Sequence, residues 1–321
     1  MNSHQQIRQP SDQHGRQHSP VMLDAAVAAL VVNQDGAYVD CTYGRGGHSQ
    51  LIADRLSPTG RLLAIDKDQS AIANAQQRFA NDSRVAIQQG SFAQVASFVK
   101  QQRLAPLDGV LMDLGVSSPQ LEDAQRGFSF NLSGPLDMRM DQSSGQTAAE
   151  WLAQASEREI AQTLATYGEE RYARRIAKRI VAERGRAPIT TTDKLVEIVA
   201  AAMPRKEEHK HPATRTFQAI RIQVNDELNA LETCLADLLD LLRAGGRIVV
   251  ISFHSLEDRI VKRFFRQMHK GDPLPDKLPV TDDQINRRLK LVGKAIRPSQ
   301  EEVDANIRAR SSIMRVAEKL P

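Results

Sequence analysis

A buried strand that leads directly into a glycine-rich turn and then a helix most restricts the fold of this chain. An apolar run at residues 37–41 predicts the strand, and a helix is predicted over residues 49–56. Between them lie Gly44, Gly46 and Gly47. Glycine adopts positive φ angles and lets a backbone approach a ligand closely. The segment is therefore typical of the first strand–turn–helix unit of a parallel sheet.

The alternation of apolar strand and helix continues along the chain. Apolar runs predict further strands at residues 61–65, 85–88 and 108–113, with a helix at 69–79. A helix at 224–242, a turn at 244–246 and a strand at 247–252 follow, and later strands are predicted at 291–296 and 311–317. Buried strands that alternate with helices form sheets covered on both faces. We therefore predict an α/β, doubly wound, Rossmann-like sheet.

The predicted division into domains rests on one stretch of sequence that has no strand signals. Between residues 142 and 212 helical periodicity replaces the strands, which predicts an inserted all-helical subdomain. Residues 18–141 and 213–321 then form the sheet domain. Residues 1–17 are polar and contain almost no apolar side chains, so we predict a disordered tail there.

Composition excludes several classes of protein. The only cysteines, Cys41 and Cys234, lie in no Cys-x-x-Cys motif, which disfavours a zinc site and fits a reducing cytoplasm. The isolated pair His209 and His211 is a weak metal candidate, so no metal is expected. No apolar run reaches the roughly 18 residues of a membrane helix. We expect a soluble, cytoplasmic protein with no membrane partner. Its net charge of +4 weakly favours anionic partners.

Two acidic residues stand where a nucleoside cofactor would be held. Asp66 ends the second predicted strand, 22 residues after Gly44, where a carboxylate can accept hydrogen bonds from ribose hydroxyls. Asp113 ends the fourth strand. The turn lacks the third glycine of a dinucleotide fingerprint, which favours S-adenosylmethionine over a nicotinamide cofactor. The alternative to a cofactor site is a purely structural role, in which the glycine turn is a tight strand–helix connection and Asp113 caps the loop that follows it.

Eight ordered motifs give the chain a specific resemblance. They are Asp-Cys-Thr-Tyr-Gly-Arg-Gly-Gly-His-Ser (40–49), Leu-Leu-Ala-Ile-Asp-Lys-Asp (62–68), Met-Asp-Leu-Gly-Val-Ser-Ser-Pro-Gln-Leu (112–121), Arg-Gly-Phe-Ser-Phe (126–130), Gly-Pro-Leu-Asp-Met-Arg-Met (134–140), Tyr-Gly-Glu-Glu-Arg (167–171), His-Pro-Ala-Thr-Arg-Thr-Phe-Gln-Ala-Ile-Arg (211–221) and Ile-Ser-Phe-His-Ser-Leu-Glu-Asp-Arg (251–259). Together they resemble the ribosomal RNA small subunit methyltransferase H family, also called MraW, from about residue 18 to the C-terminus.

The resemblance implies both an activity and a set of site residues. The implied activity is S-adenosylmethionine-dependent N4-methylation of a cytidine in small-subunit (16S) ribosomal RNA, near the decoding centre, by a class I methyltransferase domain. The implied cofactor contacts are Gly46, Gly47 and His48 in the turn, Asp66 on the ribose, Phe92 beside the adenine, and Asp113 and Gln120 near the methionine end. For Phe92, ordinary core packing is the alternative. Cys41 and Tyr43 depart from the family pattern.

Asp113 is also the catalytic candidate. The lone pair of cytosine N4 is conjugated with the ring, so an acceptor for the N4 protons favours a more nucleophilic, tetrahedral nitrogen. Asp113 and neighbouring backbone carbonyls would supply that acceptor. Methylation at C5 is disfavoured because neither cysteine follows a proline. His254, after the fifth strand, either faces the target base or only orients its loop.

A basic segment predicts the RNA contact. Arg174, Arg175 and Lys178 lie in a cationic helical stretch, and Arg215 extends it, as expected of a surface that binds phosphates. The alternative is a solvated charged face. The expected partner is small-subunit ribosomal RNA within an assembled 30S particle, and self-association is left open. Two other functions are weighed, an RNA assembly factor without turnover and an NAD-dependent oxidoreductase.

Overall fold

Seven strands form one central sheet in the order β3-β2-β1-β4-β5-β7-β6. The computed structural model describes residues 20–203, 211–271 and 285–321, so the predicted tail and His209 lie outside the described residues. The strands are β1 Ala37–Asp40, β2 Arg61–Asp66, β3 Val85–Gln89, β4 Leu107–Asp113, β5 Leu242–Ser252, β6 Leu289–Leu291 and β7 Ile313–Lys319. β1 to β5 are mutually parallel, and β7 is antiparallel to both β5 and β6. This arrangement confirms the predicted doubly wound, Rossmann-like sheet.

Helices cover both faces of this sheet. The helices are α1 Leu23–Leu30, α2 Gly47–Arg55, α3 Gln69–Arg78, α4 Val95–Gln101, α5 Ser118–Glu122, α6 Ala148–Gln154, α7 Glu157–Gly168, α8 Ala173–Arg184, α9 Thr192–Ala202, α10 Thr214–Asn225, α11 Glu227–Leu241, α12 Ser255–Lys270 and α13 Gln300–Ala305. Along β4, Val110 and Met112 pack in the cluster that contains Phe265, whereas Leu111 packs in the opposite cluster. Side chains of a strand alternate between faces, so both faces of β4 are buried.

Helices α6 to α10 pack around a third hydrophobic cluster. Ile160, Leu164 and Ile176 are fully buried in it. The cluster also takes in Phe128 on one side of residues 142–212 and Ile220 on the other. The helical packing unit is therefore wider than the predicted insertion, and the division of the chain into domains stays a prediction.

The helix predicted over residues 224–242 is confirmed as α11, which begins at Glu227 and ends at Leu241. A second helix, α10, which was not predicted, comes directly before it, and Asp226 with a left-handed φ of 52° separates the two. α10 buries Phe217 and Ile220 in the helical cluster, whereas α11 buries Leu235 against the sheet. Two different packing surfaces require two helix directions. Sequence periodicity reports amphipathicity but not this change of partner.

The predicted boundaries near the C-terminus also differ. The turn at 244–246 lies inside β5, where the register against β4 shifts between Leu107 and Gly109. The strand predicted at 291–296 is reduced to β6, and Ile296 forms only an isolated bridge with Met314. Over the described ranges, no helix combines the length and apolarity required to cross a bilayer.

Candidate active site

The main pocket lies at the carboxyl ends of β1, β2, β3 and β4. The strand order reverses between β1 and β4, and such a switch point is where open α/β sheets bind ligands. The lining includes Thr42, Gly44, Arg45, Gly47, His48, Asp66, Lys67, Phe92, Asp113, Ser117, Ser118, Gln120, Met140, Glu227, Glu257, Asn306 and Arg308. The pocket therefore gathers the predicted Gly47, His48, Asp66, Phe92, Asp113 and Gln120.

The turn after β1 depends on its glycines. Gly44 and Gly46 have φ angles of 56° and 73°, in the region that glycine adopts without strain. A Cβ atom on Gly46 would lie 2.4 Å from the ring of Tyr43, whose hydroxyl donates to Asn74 at 2.8 Å. Gly46 does not itself line the pocket. Gly46 packs against the Tyr43 ring instead, and Gly44 and Gly47 are the glycines of the turn that line the pocket.

Asp66 has the geometry expected of a ribose acceptor. Its Oδ2 accepts the Gly44 N–H at 2.8 Å, and its Oδ1 accepts the Asp68 N–H at 2.9 Å. Each carboxylate oxygen has capacity for a second hydrogen bond. Burial raises the pKa of Asp66 to about 6, although the two N–H groups oppose this shift. The side chain is thus preoriented by backbone donors at the end of β2.

Asp113 presents a buried oxygen without a partner. Its Oδ2 lies 3.7 Å from Nδ1 of His48, while its Oδ1 has no hydrogen-bond partner in the part of the chain that the structure describes. Burial raises the pKa of Asp113 well above its usual range, and the charges of Asp40 and Glu257 add to the effect. Burial lowers the pKa of His48 to about 4. Burial therefore favours the uncharged forms of both the His48 imidazole and the Asp113 carboxyl group.

Gln120 has a different environment from the one that the resemblance implies. Its Nε2 donates to Asp68 Oδ2 at 2.9 Å, and its Oε1 accepts the Ser117 N–H at 3.0 Å. Arg126 also donates to Asp68 Oδ2, at 2.6 Å, and to the backbone oxygens of Arg139 and Met140 at 3.0 and 2.9 Å. Gln120 thus lines the pocket while tying the loop after β4 to a buried ion pair.

Sequence reasoning missed this ion pair and one further acid. Burial raises the pKa of Asp68, but the bonds from Arg126 and Gln120 outweigh it and lower the pKa overall. Asp40 is fully buried at the end of β1 and accepts a 2.6 Å hydrogen bond from Ser49 Oγ. The available signal was a charged residue inside an otherwise apolar strand, which is rare unless the charge has a partner.

Phe92 fits both interpretations of its role. It opens a short 3₁₀ turn after β3, lines the pocket, and also packs against the core cluster that contains Val95 and Phe98. Phe92 is half-buried between this core cluster and the pocket.

The far wall of the pocket contains Glu227 and Glu257. Glu227 pairs with Arg221 through two bonds of 2.8 Å, and Glu257 Oε2 accepts the Phe253 N–H at 2.8 Å. Burial raises the pKa of Glu257, but His254 and Arg221 outweigh it and lower the pKa overall. His254 does not line the pocket and caps α12 by accepting the Glu257 N–H. This position agrees with the alternative in which His254 only orients its loop and does not face the target base.

The predicted basic surface lies on α8. Arg174, Arg175 and Lys178 are exposed, and none has an ion pair with an acid among residues 20–203, 211–271 and 285–321. Arg215 lies half-buried on α10. His211 stacks on Phe130, with ring centroids 4.6 Å apart.

Comparisons with known proteins agree on one family. The sequence pattern of the MraW methylase family matches residues 15–320. The chain is 57% identical over 305 residues to a ribosomal RNA small subunit methyltransferase H from Chromohalobacter salexigens, covering 94% of this chain and 92% of the relative. A protein of the same name from Thioalkalivibrio sulfidiphilus is 55% identical over 305 residues, covering 94% of this chain and 97% of the relative.

Solved structures show more distant likeness. An rRNA methylase from Clostridium thermocellum, described as putative, superimposes with a TM-score of 0.43 at 11% identity, covering 93% of each chain. A methyltransferase from Streptococcus mutans, also described as putative and in complex with SAH, gives a TM-score of 0.41 at 11% identity, covering 93% of this chain and 96% of the other.

Proposed function

The chain belongs to the MraW methylase family of S-adenosylmethionine-dependent methyltransferases, and on this premise we propose that it methylates N4 of a cytidine in small-subunit (16S) ribosomal RNA near the decoding centre. The names of its relatives support the ribosomal RNA substrate. The observation that carries the N4 assignment is the unpartnered Asp113 Oδ1 inside the pocket.

The residues present fit the cofactor. Asp66 offers two preoriented oxygens to a ribose, Phe92 offers a ring face to adenine, and Gly44 and Gly47 let a ligand approach the turn. Asp113 ends β4, and Nδ1 of His48, from the first turn of α2, lies 3.7 Å from its Oδ2; we assign both residues to the side of the methionine portion. Bound there, S-adenosylmethionine supplies an electrophilic methyl group.

Asp113 then acts on the attacking nitrogen. Its Oδ1 accepts a hydrogen bond from N4, which draws the nitrogen lone pair out of conjugation with the ring. The cofactor would supply the methyl group to N4, and Asp113 Oδ1 would take the surplus proton that N4 loses. In its ionised form, a carboxylate whose pKa is raised by burial is a stronger base than an ordinary aspartate. The pocket would hold the two reactants in line and exclude water from them.

Ribosomal RNA from cells with and without the protein tests the assignment. Mass spectrometry of nuclease digests is expected to show one N4-methylcytidine lost from small-subunit RNA when the protein is absent, restored by the wild-type chain. An unchanged digest contradicts the N4 assignment. Transfer of labelled methyl groups at background level by the purified protein favours the alternative of an assembly factor without turnover.

RNA binding through α8 and Arg215 belongs to the same proposal. Reversing the charges of Arg174, Arg175 and Lys178 to Glu is expected to weaken binding to small subunits about tenfold and to flatten its salt dependence, because phosphate contacts release counterions. Fluorescence anisotropy over a series of salt concentrations measures both. The matched control reverses Arg263, Arg266 and Lys270, which are exposed on α12. Equal losses in the two triple variants contradict a specific role for α8.

Cofactor affinity is expected to rise with pH. Burial raises the pKa of Asp66 to about 6, and ribose hydroxyls donate best to the ionised form. At pH 5 only about a tenth of Asp66 is ionised, so the affinity for S-adenosylhomocysteine is expected to be about tenfold lower than at pH 7. Calorimetry at a series of pH values measures this change.

Two variants test whether the pH dependence of cofactor affinity comes from Asp66. Asp66→Asn is expected to flatten the profile, whereas Asp113→Asn is expected to retain it. With a pKa of about 4, His48 stays neutral across the range. A wild-type profile that is flat from pH 5 to 7 contradicts the ribose assignment.

The proposal also covers the domain division, the form of the substrate and the place where the protein acts. We place residues 142–212 as a substrate-recognition insertion between residues 18–141 and 213–321 of the methyltransferase domain. The substrate is the assembled 30S particle, and the protein acts in the cytoplasm. Comparison of methyl transfer to naked 16S RNA and to 30S particles tests the particle assignment.

A further inference from the structure

A segment near the start of the described chain and the segment that precedes β7 meet at the pocket. Pro20 lines one side and packs so closely on Gly47 that a Cβ atom there would lie 2.1 Å from its Cγ. Next to it, the Met22 N–H donates to the carboxylate of Glu302 in α13. The chain after α13 then places Asn306 against the pocket. The rim is therefore built from segments nearly three hundred residues apart in sequence.

Arginines occupy this rim. Arg308 lines the pocket, donates to Ser118 Oγ and lies 3.6 Å from Glu122. Arg45, in the glycine turn, lines the same pocket, is exposed, and pairs with no acid in the described part of the chain. Arg310, two residues beyond Arg308, is exposed and likewise pairs with no described acid. Guanidinium groups without an acidic partner are suited to phosphate oxygens.

An apolar side chain stands among these cations. Ile307 is 67% exposed, the largest exposed fraction among the large apolar residues of the described chain. Its neighbours Asn306 and Arg308 both line the pocket. A singly exposed apolar residue needs no explanation by itself. In sequence, Ile307 lies between two pocket-lining residues, next to Arg308 and three residues before Arg310.

We propose that Arg45, Ile307, Arg308 and Arg310 form the surface on which the RNA strand lies while its target nucleotide occupies the pocket. This inference rests on the proposed RNA methylation. Asp113 lies inside the pocket, so a target base must leave its stack and enter past this rim. Arg45 and Arg310, which pair with no acid in the described part of the chain, bind the phosphates on either side of the extruded nucleotide. Ile307 packs against the base exposed by its departure, as apolar wedges do in other nucleic-acid complexes.

The rim has a different task from α8. Contacts on α8 hold the particle at a distance from the reacting atoms, whereas the rim acts on the nucleotides next to the target. Loss of a rim contact should therefore affect the methyl-transfer step as well as affinity, since a target base that is not held out of its stack presents N4 less often.

Paired substitutions of exposed residues test the rim. Arg45→Gln with Arg310→Gln is expected to raise the KM for small subunits about tenfold, because two phosphate contacts are lost. Ile307→Ser is expected to lower single-turnover methyl transfer about fivefold, because the wedge is lost. S-adenosylhomocysteine affinity, measured by calorimetry, should stay within about twofold in both variants, since no rim side chain is assigned to the cofactor.

Matched controls use residues remote from the pocket lining. Arg263→Gln with Arg266→Gln removes two exposed arginines of α12, and Ile296→Ser removes an apolar side chain that is 41% exposed. Both controls are expected to behave as wild type. Wild-type affinity, KM and transfer rate in the rim variants would overturn the inference.

Direct binding separates this test from that of the proposed function. Anisotropy with labelled small subunits reports the rim contact without any turnover. A wild-type protein that binds small subunits through the rim but transfers no methyl group would remove the methylation proposal and leave the rim as an RNA surface. If the wild-type protein transfers methyl groups normally and the rim variants bind small subunits normally, the inference about the rim is lost and the methylation proposal is kept.

Discussion

Asp113→Asn is expected to lower the rate of methyl transfer about a thousandfold while leaving the affinity for S-adenosylmethionine within about threefold of wild type. The amide keeps the size of the side chain but cannot take the surplus proton from N4. It also replaces one carboxylate oxygen with a donor, so an N4 proton can meet an N–H group. The pocket keeps Asp66 and the glycine turn, which are the groups assigned to the ribose and to close approach of the cofactor.

Single-turnover transfer of a labelled methyl group to small subunits measures this loss, and calorimetry measures cofactor affinity. Asp113→Glu is the conservative variant and should recover part of the rate, because it restores an acceptor at a displaced position. Asp123→Asn changes an exposed acid that caps a 3₁₀ turn shortly after β4 and should behave as wild type. A transfer rate for Asp113→Asn within about threefold of wild type would assign the proton to another acceptor.

Asp66→Ala is expected to weaken cofactor binding about a hundredfold. Two charge-assisted hydrogen bonds to ribose hydroxyls are lost, which together contribute about 3 kcal/mol. The Gly44 N–H loses its acceptor at the same time, so the turn beside the cofactor is less well held. The rate at saturating cofactor should fall far less than the affinity, because Asp113 is untouched.

Calorimetric titration with S-adenosylhomocysteine measures the affinity of this variant. Asp54→Ala, at an exposed position on α2, is the matched control, and its affinity should equal that of wild type. Thermal unfolding without cofactor shows whether the Asp66 variant is folded. A folded Asp66→Ala protein with wild-type affinity contradicts the ribose assignment and points to another acceptor for the hydroxyls.

The sheet could be predicted because each of its central strands is a short apolar run with its own turn signals. β2 and β4 bury nearly every side chain, so their sequences are almost continuously apolar. In parallel strands such runs end at the same edge, which is why Asp66 and Asp113 could be predicted to lie together. The positive φ angles at Gly44 and Gly46 follow from the same reading of the turn.

The supporting residues could not be predicted in this way. The ion pair of Asp68 with Arg126 joins residues that are 58 positions apart, and no local sequence pattern predicts it. Arg126 is 7% exposed, although a charged residue in a polar segment is expected to face water. The break at Asp226 has the same origin, since the helices on either side of it pack on different cores. In each case tertiary contacts decide the structure.

The joining of Met22 to Glu302 has a consequence for how the protein is made. The pocket is incomplete until Asn306 and Arg308 are in place, and the sheet is incomplete until β7 has paired with β5. Chains emerge from the ribosome N-terminus first. The nascent chain therefore has no finished cofactor pocket until the segment that contains Asn306, Arg308 and β7 has left the ribosome.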